Sequence, residues 1–102
     1  MKKILLLAVF LLSFNSFAQA FIPRMEFFVN REVAITRVWN TTFYPVVCSG
    51  LAYGQTYQGV VLNTWINQVV VAPGAYAEAY VHSNFYDPMF RAWAEINCFR
   101  AW

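Results

Sequence analysis

The chain is 102 residues long, 60% hydrophobic and 20% aromatic but only 12% charged, with a formal net charge of +2. Lys2 and Lys3 fall in an N-terminal stretch that reads as an export signal, so residues 21–102 hold five Arg, no Lys and five acids and are formally neutral. Neutrality without a polybasic run argues against nucleic acid as a partner and against an anionic membrane surface, since both need clustered cations. One His and two Cys leave too few ligands and nucleophiles for most metal or catalytic constellations.

The signal has three parts: a charged start at Lys2 and Lys3, an apolar run over residues 4–12, and the small-residue site Ala18-Gln19-Ala20. The run is too short for a permanent transmembrane helix. Cleavage is expected after Ala20, leaving residues 21–102 as one small domain of a bacterial periplasmic or extracellular protein, with no transmembrane segment in the mature chain. Phe21 stands where a lipid-anchored protein would have Cys.

Beyond the signal, turn residues recur about every ten positions, which is the spacing of a β-sandwich or barrel. Alternating runs predict strands at 26–30 and 33–39, then a turn over 40–45. The Asn40-Thr41-Thr42 sequon is read as part of that turn rather than as a glycan acceptor. From Tyr44 to Tyr53 the chain divides into Val46, Cys48, Gly50 and Ala52 on one face and Val47, Ser49, Leu51 and Tyr53 on the other. A turn is expected at 54–56, a strand at 57–62, a loop at 63–68 containing Trp65, a strand at 68–72, and a type II turn at Pro73-Gly74, where Gly supplies the positive φ.

The next strand sets Ala75, Ala77, Ala79 and Val81 against Tyr76, Glu78, Tyr80 and His82. After a turn at 83–88, the last sets Phe90, Ala92, Ala94, Ile96 and Cys98 against Arg91, Trp93, Glu95, Asn97 and Phe99. Period-two alternation of this kind separates a sheltered face from an outer one. The expectation is a small all-β antiparallel β-sandwich of about six or seven strands, because the connections are too short for parallel crossovers.

Cys48 and Cys98, both on small-residue faces of an exported chain, are expected to form one structural disulfide. Closing a loop of that length stabilises by about 4 kcal/mol in the chain-entropy model. A Cys pair with Trp65 between its members resembles the immunoglobulin-type sandwich, whose disulfide joins the two sheets. The likeness is architectural: Ile96 stands where that family has a tyrosine, and Trp65 falls in the expected loop.

No enzyme activity, cofactor or metal is expected. His82 is isolated, and Glu78 and Glu95 are read as partners of Arg91 across the sheet rather than as a hydrolytic carboxylate pair. The conspicuous feature is aromatic content, with seven Phe, six Tyr and four Trp in residues 21–102. Tyr76, Tyr80, His82, Arg91 and Trp93 are the candidate binding residues, on an aromatic and polar sheet face of the kind that binds proteins or stacks on sugars. The leading expectation is an exported binding domain whose partner is an envelope protein, a glycan or a copy of itself. The alternative is a secreted enzyme inhibitor presenting the loop 84–89, with Phe85, Tyr86 and Pro88 at its tip. A membrane barrel is disfavoured, because six strands fall short of the eight in the smallest such barrels.

Overall fold

A computed structural model describes residues 19–84 and 86–101. Residues 1–18 of the expected signal, Phe85 at the tip of the 84–89 loop, and Trp102 lie outside the described residues. The described chain is all-β, with six strands: β1 (Arg24–Asn30), β2 (Val33–Trp39), β3 (Val46–Thr56), β4 (Val61–Val71), β5 (Tyr76–His82) and β6 (Met89–Arg100). They form two three-stranded sheets in the orders β1-β2-β5 and β4-β3-β6, with every neighbouring pair antiparallel.

The period-two pattern decides which side chains meet. In the first sheet, Ala34, Thr36 and Val38 stand opposite Val81, Ala79 and Ala77. In the second, Val46, Cys48, Gly50, Ala52 and Gly54 stand opposite Arg100, Cys98, Ile96, Ala94 and Ala92. Between the sheets lies a core of Ala34, Val38, Val46, Cys48, Ala52, Ile66, Val71, Ala79, Val81, Met89, Ile96 and Cys98. The residues are small and the layers close: a Cβ on Gly54 would come within 2.9 Å of both the Ala34 methyl and the Met89 Cε. Such a contact is too short for close-packed carbon atoms, so this position requires glycine.

Asn40 is the polar pivot of the 40–45 turn. It is 1% exposed, and its amide nitrogen donates to the carbonyls of Tyr44 and Val71, each at 2.8 Å. Its Oδ1 accepts from the Thr42 backbone N–H and hydroxyl. All four hydrogen-bonding positions of the amide are therefore used, and the buried nitrogen is closed to a glycan.

Several expectations need correction. Residues 63–68 are not a loop and the strands expected at 57–62 and 68–72 are not separate; all lie on or beside the single strand β4. The turn falls later than 54–56, at 57–60, where the Thr56 carbonyl accepts from Gly59 N–H and Gly59 takes a φ of 91°. A three-residue hairpin loop closed by a left-handed glycine has this form. The polar residues Asn63, Asn67 and Gln68 misled the reading because a solvated edge strand carries them without penalty. The bulge between Cys48 and Gly50 in the β3–β4 register accommodates the rest, with Gln68 at a φ of 51° and its N–H donating to the Ser49 hydroxyl.

Phe90, expected on the sheltered face, is exposed, and Met89 is buried in its place. A register shift between Gln55 and Thr56, which pairs Arg91 with Gln55 but Met89 with Thr56, displaces Phe90 outward. Inserting an extra residue in one strand has this effect.

The Cys48–Cys98 disulfide is present, with Cα atoms 4.1 Å apart. It joins directly opposed residues of β3 and β6 within one sheet, not the two sheets as the immunoglobulin resemblance implied. Cys98 exchanges both backbone hydrogen bonds with Phe21 on its other side, so Cys48 and Cys98 form a non-hydrogen-bonded pair, where side chains approach most closely. Trp65 is on β4 and points outward, 72% exposed, rather than packing on the disulfide.

Candidate functional site

Because β5 and β6 belong to different sheets, the face expected from the sequence is two faces. Tyr76, Tyr80 and His82 lie on the outer side of the first sheet, whereas Arg91 and Trp93 lie on the outer side of the second. Glu78 correspondingly pairs not with Arg91 but with Arg37, at 3.0 Å.

On the first sheet the register builds a grid. Across the three strands the outward rows are Arg24, Trp39 and Tyr76; Glu26, Arg37 and Glu78; Phe28, Ile35 and Tyr80; and Asn30, Val33 and His82. Arg37 is central. Its Nη2 and Nε both donate to Glu78 Oε2, and its guanidinium sits 4.4 Å from the Tyr76 ring centroid and 5.0 Å from that of Phe28. Arginine suits this position because its planar cation engages a carboxylate and aromatic faces together. The Trp39 indole N–H donates to Glu26 Oε1, and the ring lies 4.8 Å from Tyr76. The Tyr80 hydroxyl donates to Glu78 Oε1 at 2.8 Å, and its ring lies 6.4 Å from His82.

The electrostatics follow from these bonds. The Tyr80 hydroxyl, and after it Arg37, holds Glu78 below the usual carboxylate range. The same bond raises the Tyr80 phenol, because ionisation would set two anions side by side. The bond to Glu78 also raises Arg37.

On the second sheet, Trp93 stacks on Tyr53 at 5.3 Å between centroids and 9° between planes. Arg91 lies 4.4 Å over the Trp93 ring, and Trp65 stands out beside Leu51. At the end of the sandwich, Asn84 Oδ1 accepts from the N–H groups of Tyr86 and Asp87, while Asp87 Oδ1 accepts from Gln58 N–H. These bonds fix the described part of the 84–89 loop and leave Tyr86 87% exposed.

The sequence reading missed Arg37, Trp39, Glu26 and Phe28 on the first face, and Tyr53 and Trp65 on the second. The signal was available on β2, where Arg37 and Trp39 alternate with Thr36 and Val38, and was blurred on β1, where Phe27 stands between Glu26 and Phe28. What pattern alone did not give was the partner of each strand. Among the described residues no group of three or more His, Cys, Asp or Glu side chains is placed to hold a metal ion, and no helix is long and apolar enough to cross a membrane. No family model, curated protein or solved structure matches the chain.

Proposed function

We propose that the chain is an exported, non-enzymatic binding domain that recognises a protein partner through the Arg37-centred outer face of the first sheet. The supporting observation is that Phe28, Tyr76 and Tyr80 are each more than 40% exposed while cation–π contacts and the Glu78 bond hold their surroundings in place. Ordering flexible side chains is a main cost of association, and an already ordered aromatic surface avoids it. At the centre of the grid the polar groups of Arg37, Glu78, Tyr80, Trp39 and Glu26 hydrogen-bond to one another, leaving ring faces as the recognition element there. Around Arg37 that favours a protein surface over a glycan, whose hydroxyls call for unengaged polar groups beside the rings. The test is capture of envelope or secreted proteins by the immobilised protein, compared with a Tyr76→Ala/Tyr80→Ala variant. Loss of a specific captured partner by a variant that stays folded supports the reading, and retention of every captured partner overturns it.

The hydrogen-bonded 84–89 loop, with Tyr86 held outward, supports an inhibitor as the second reading. There, Tyr86→Ala would abolish capture and the Tyr76→Ala/Tyr80→Ala variant would not.

A further inference from the structure

We infer that β4 is a self-association edge, along which a second copy of this chain adds antiparallel through residues 61–65. The inference begins with the direction of the backbone groups. Cys98 donates its N–H to the Phe21 carbonyl and accepts at its own carbonyl from Phe21 N–H, away from β3. Alternation along antiparallel ladders then directs the groups of Cys48, Ala52 and Gly54 toward β4, and those of Leu62, Thr64 and Ile66 back toward β3. Val61, Asn63 and Trp65 consequently direct N–H and C=O outward. Among the described residues β4 has β3 as its sole ladder partner, and it runs for 11 residues against seven in β5 at the other side of the Pro73-Gly74 turn. The start of β4 is therefore an open edge.

That edge lacks the usual protection. Edge strands are commonly guarded by charges or proline. Here β1 carries Arg24 and Glu26, β5 carries Glu78, and β6 carries Arg91, Glu95 and Arg100. The sequence of β4, VLNTWINQVVV, has no charge and no proline. Its bulge falls beyond Ile66, so residues 61–65 remain regular. The formal neutrality of residues 21–102 adds no long-range repulsion between copies.

The edge is also self-complementary. Placing the two-fold axis at Asn63 makes a hydrogen-bonded ladder in which Val61 of each copy stands opposite Trp65 of the other, and Asn63 opposite Asn63. Aromatic and β-branched residues form favourable cross-strand pairs, and facing amides can both donate and accept. Trp65 and Val61, 72% and 49% exposed in the single copy, are covered together. The contact is isologous and closes as a dimer, joining the two second sheets into one of six strands. It leaves the Arg37 face of the first sheet free, so it stands or falls separately from the function proposed above.

Sedimentation over a roughly hundredfold concentration range, combined with residue-resolved amide exchange, tests it. The expected result is a reversible dimer in which the amides of Val61, Asn63 and Trp65 become protected as concentration rises. Trp65→Lys and Asn63→Pro, both on the exposed side of an edge strand, are expected to keep the fold and weaken dimerisation roughly tenfold or more. A protein that stays monomeric throughout, or a dimer whose new protection falls at Ala92, Ala94 and Ile96 of β6, overturns the inference. So does a dimer that tolerates Trp65→Lys. If Asn63→Pro does not fold, Trp65→Lys and the wild-type exchange pattern decide.

Discussion

The inside and the outside of this domain reverse the usual allocation of residue size. The layer between the sheets is made of Ala, Val, Ile, Met, Thr36 and the disulfide, and no Phe, Tyr or Trp among the described residues is fully buried. Most of the described aromatic residues stand on the two outer faces and the loop ends, in contact with arginines and with each other, while Phe21 and Tyr44 pack at the margin of the core and Phe27 on the inner side of the β1 edge. A core of small side chains draws the sheets close but buries little apolar area, which is the quantity that stabilises a domain of this size. Stability accordingly depends on covalent and polar fasteners inside, while the large rings outside are available for contact. If this division is right, inner substitutions act on folding and outer ones on binding.

The largest expected effect is at the staple. Cys48→Ala with Cys98→Ala removes the loop constraint and is expected to cost about 4 kcal/mol, read as the shift in chemical denaturation midpoint against the oxidised protein. A loss no larger than that of an outer-face substitution would show that the thin core suffices without it. Next is Asn40→Asp, which replaces a buried donor to two carbonyls with an oxygen that repels both. Leaving a buried charge and two acceptors unsatisfied costs about 3 kcal/mol or more, whereas exposed Thr41→Ala should change little by the same measurement. Third is Gly54→Val, which forces a branched side chain against Ala34 and Met89. Overpacking of this kind costs roughly 1–3 kcal/mol.

These inner positions were the most legible in the sequence. The alternation of Val46, Cys48, Gly50 and Ala52, and of Ala75, Ala77, Ala79 and Val81, identifies sheltered faces because burial acts on every second side chain of a strand. The disulfide followed from the same parity. The outer site was less legible, since alternation says that Tyr80 and Trp93 point outward but not that their strands lie in different sheets. Strand pairing is settled by tertiary contacts over long sequence separation, such as Arg37 with Glu78, which no local pattern encodes. Phe90 was misplaced because a single inserted residue inverts parity, and neither Gln55 nor Thr56 advertises a bulge.

On the outer faces the expected effects on folding are smaller. Trp93→Ala removes a stacked pair with Tyr53 and the Arg91 contact, worth about 1 kcal/mol, and by position it cannot disturb the Tyr76 and Tyr80 surface on the opposite side. Measured together, its effect and that of Tyr80→Ala should be additive, as for distant sites; coupling between them would mean that the two faces communicate through the core.

The smallest effect concerns the charge at the centre of the first face. The Tyr80 hydroxyl and Arg37 hold Glu78 below the usual carboxylate range in the folded chain, so its contribution to stability is present above the unfolded value, near about 4, and is lost as pH falls through the folded one. Comparison with Glu78→Gln isolates it: the wild type should be the more stable near neutrality, and the difference between the two thermal midpoints should shrink as pH is lowered through the carboxylate range. Because the pair is partly open to solvent, added salt should narrow the same difference. A gap independent of both pH and salt would mean that the carboxylate's charge is not what stabilises the pair, and the ordering of the aromatic face would then rest on ring packing around Arg37 rather than on charge.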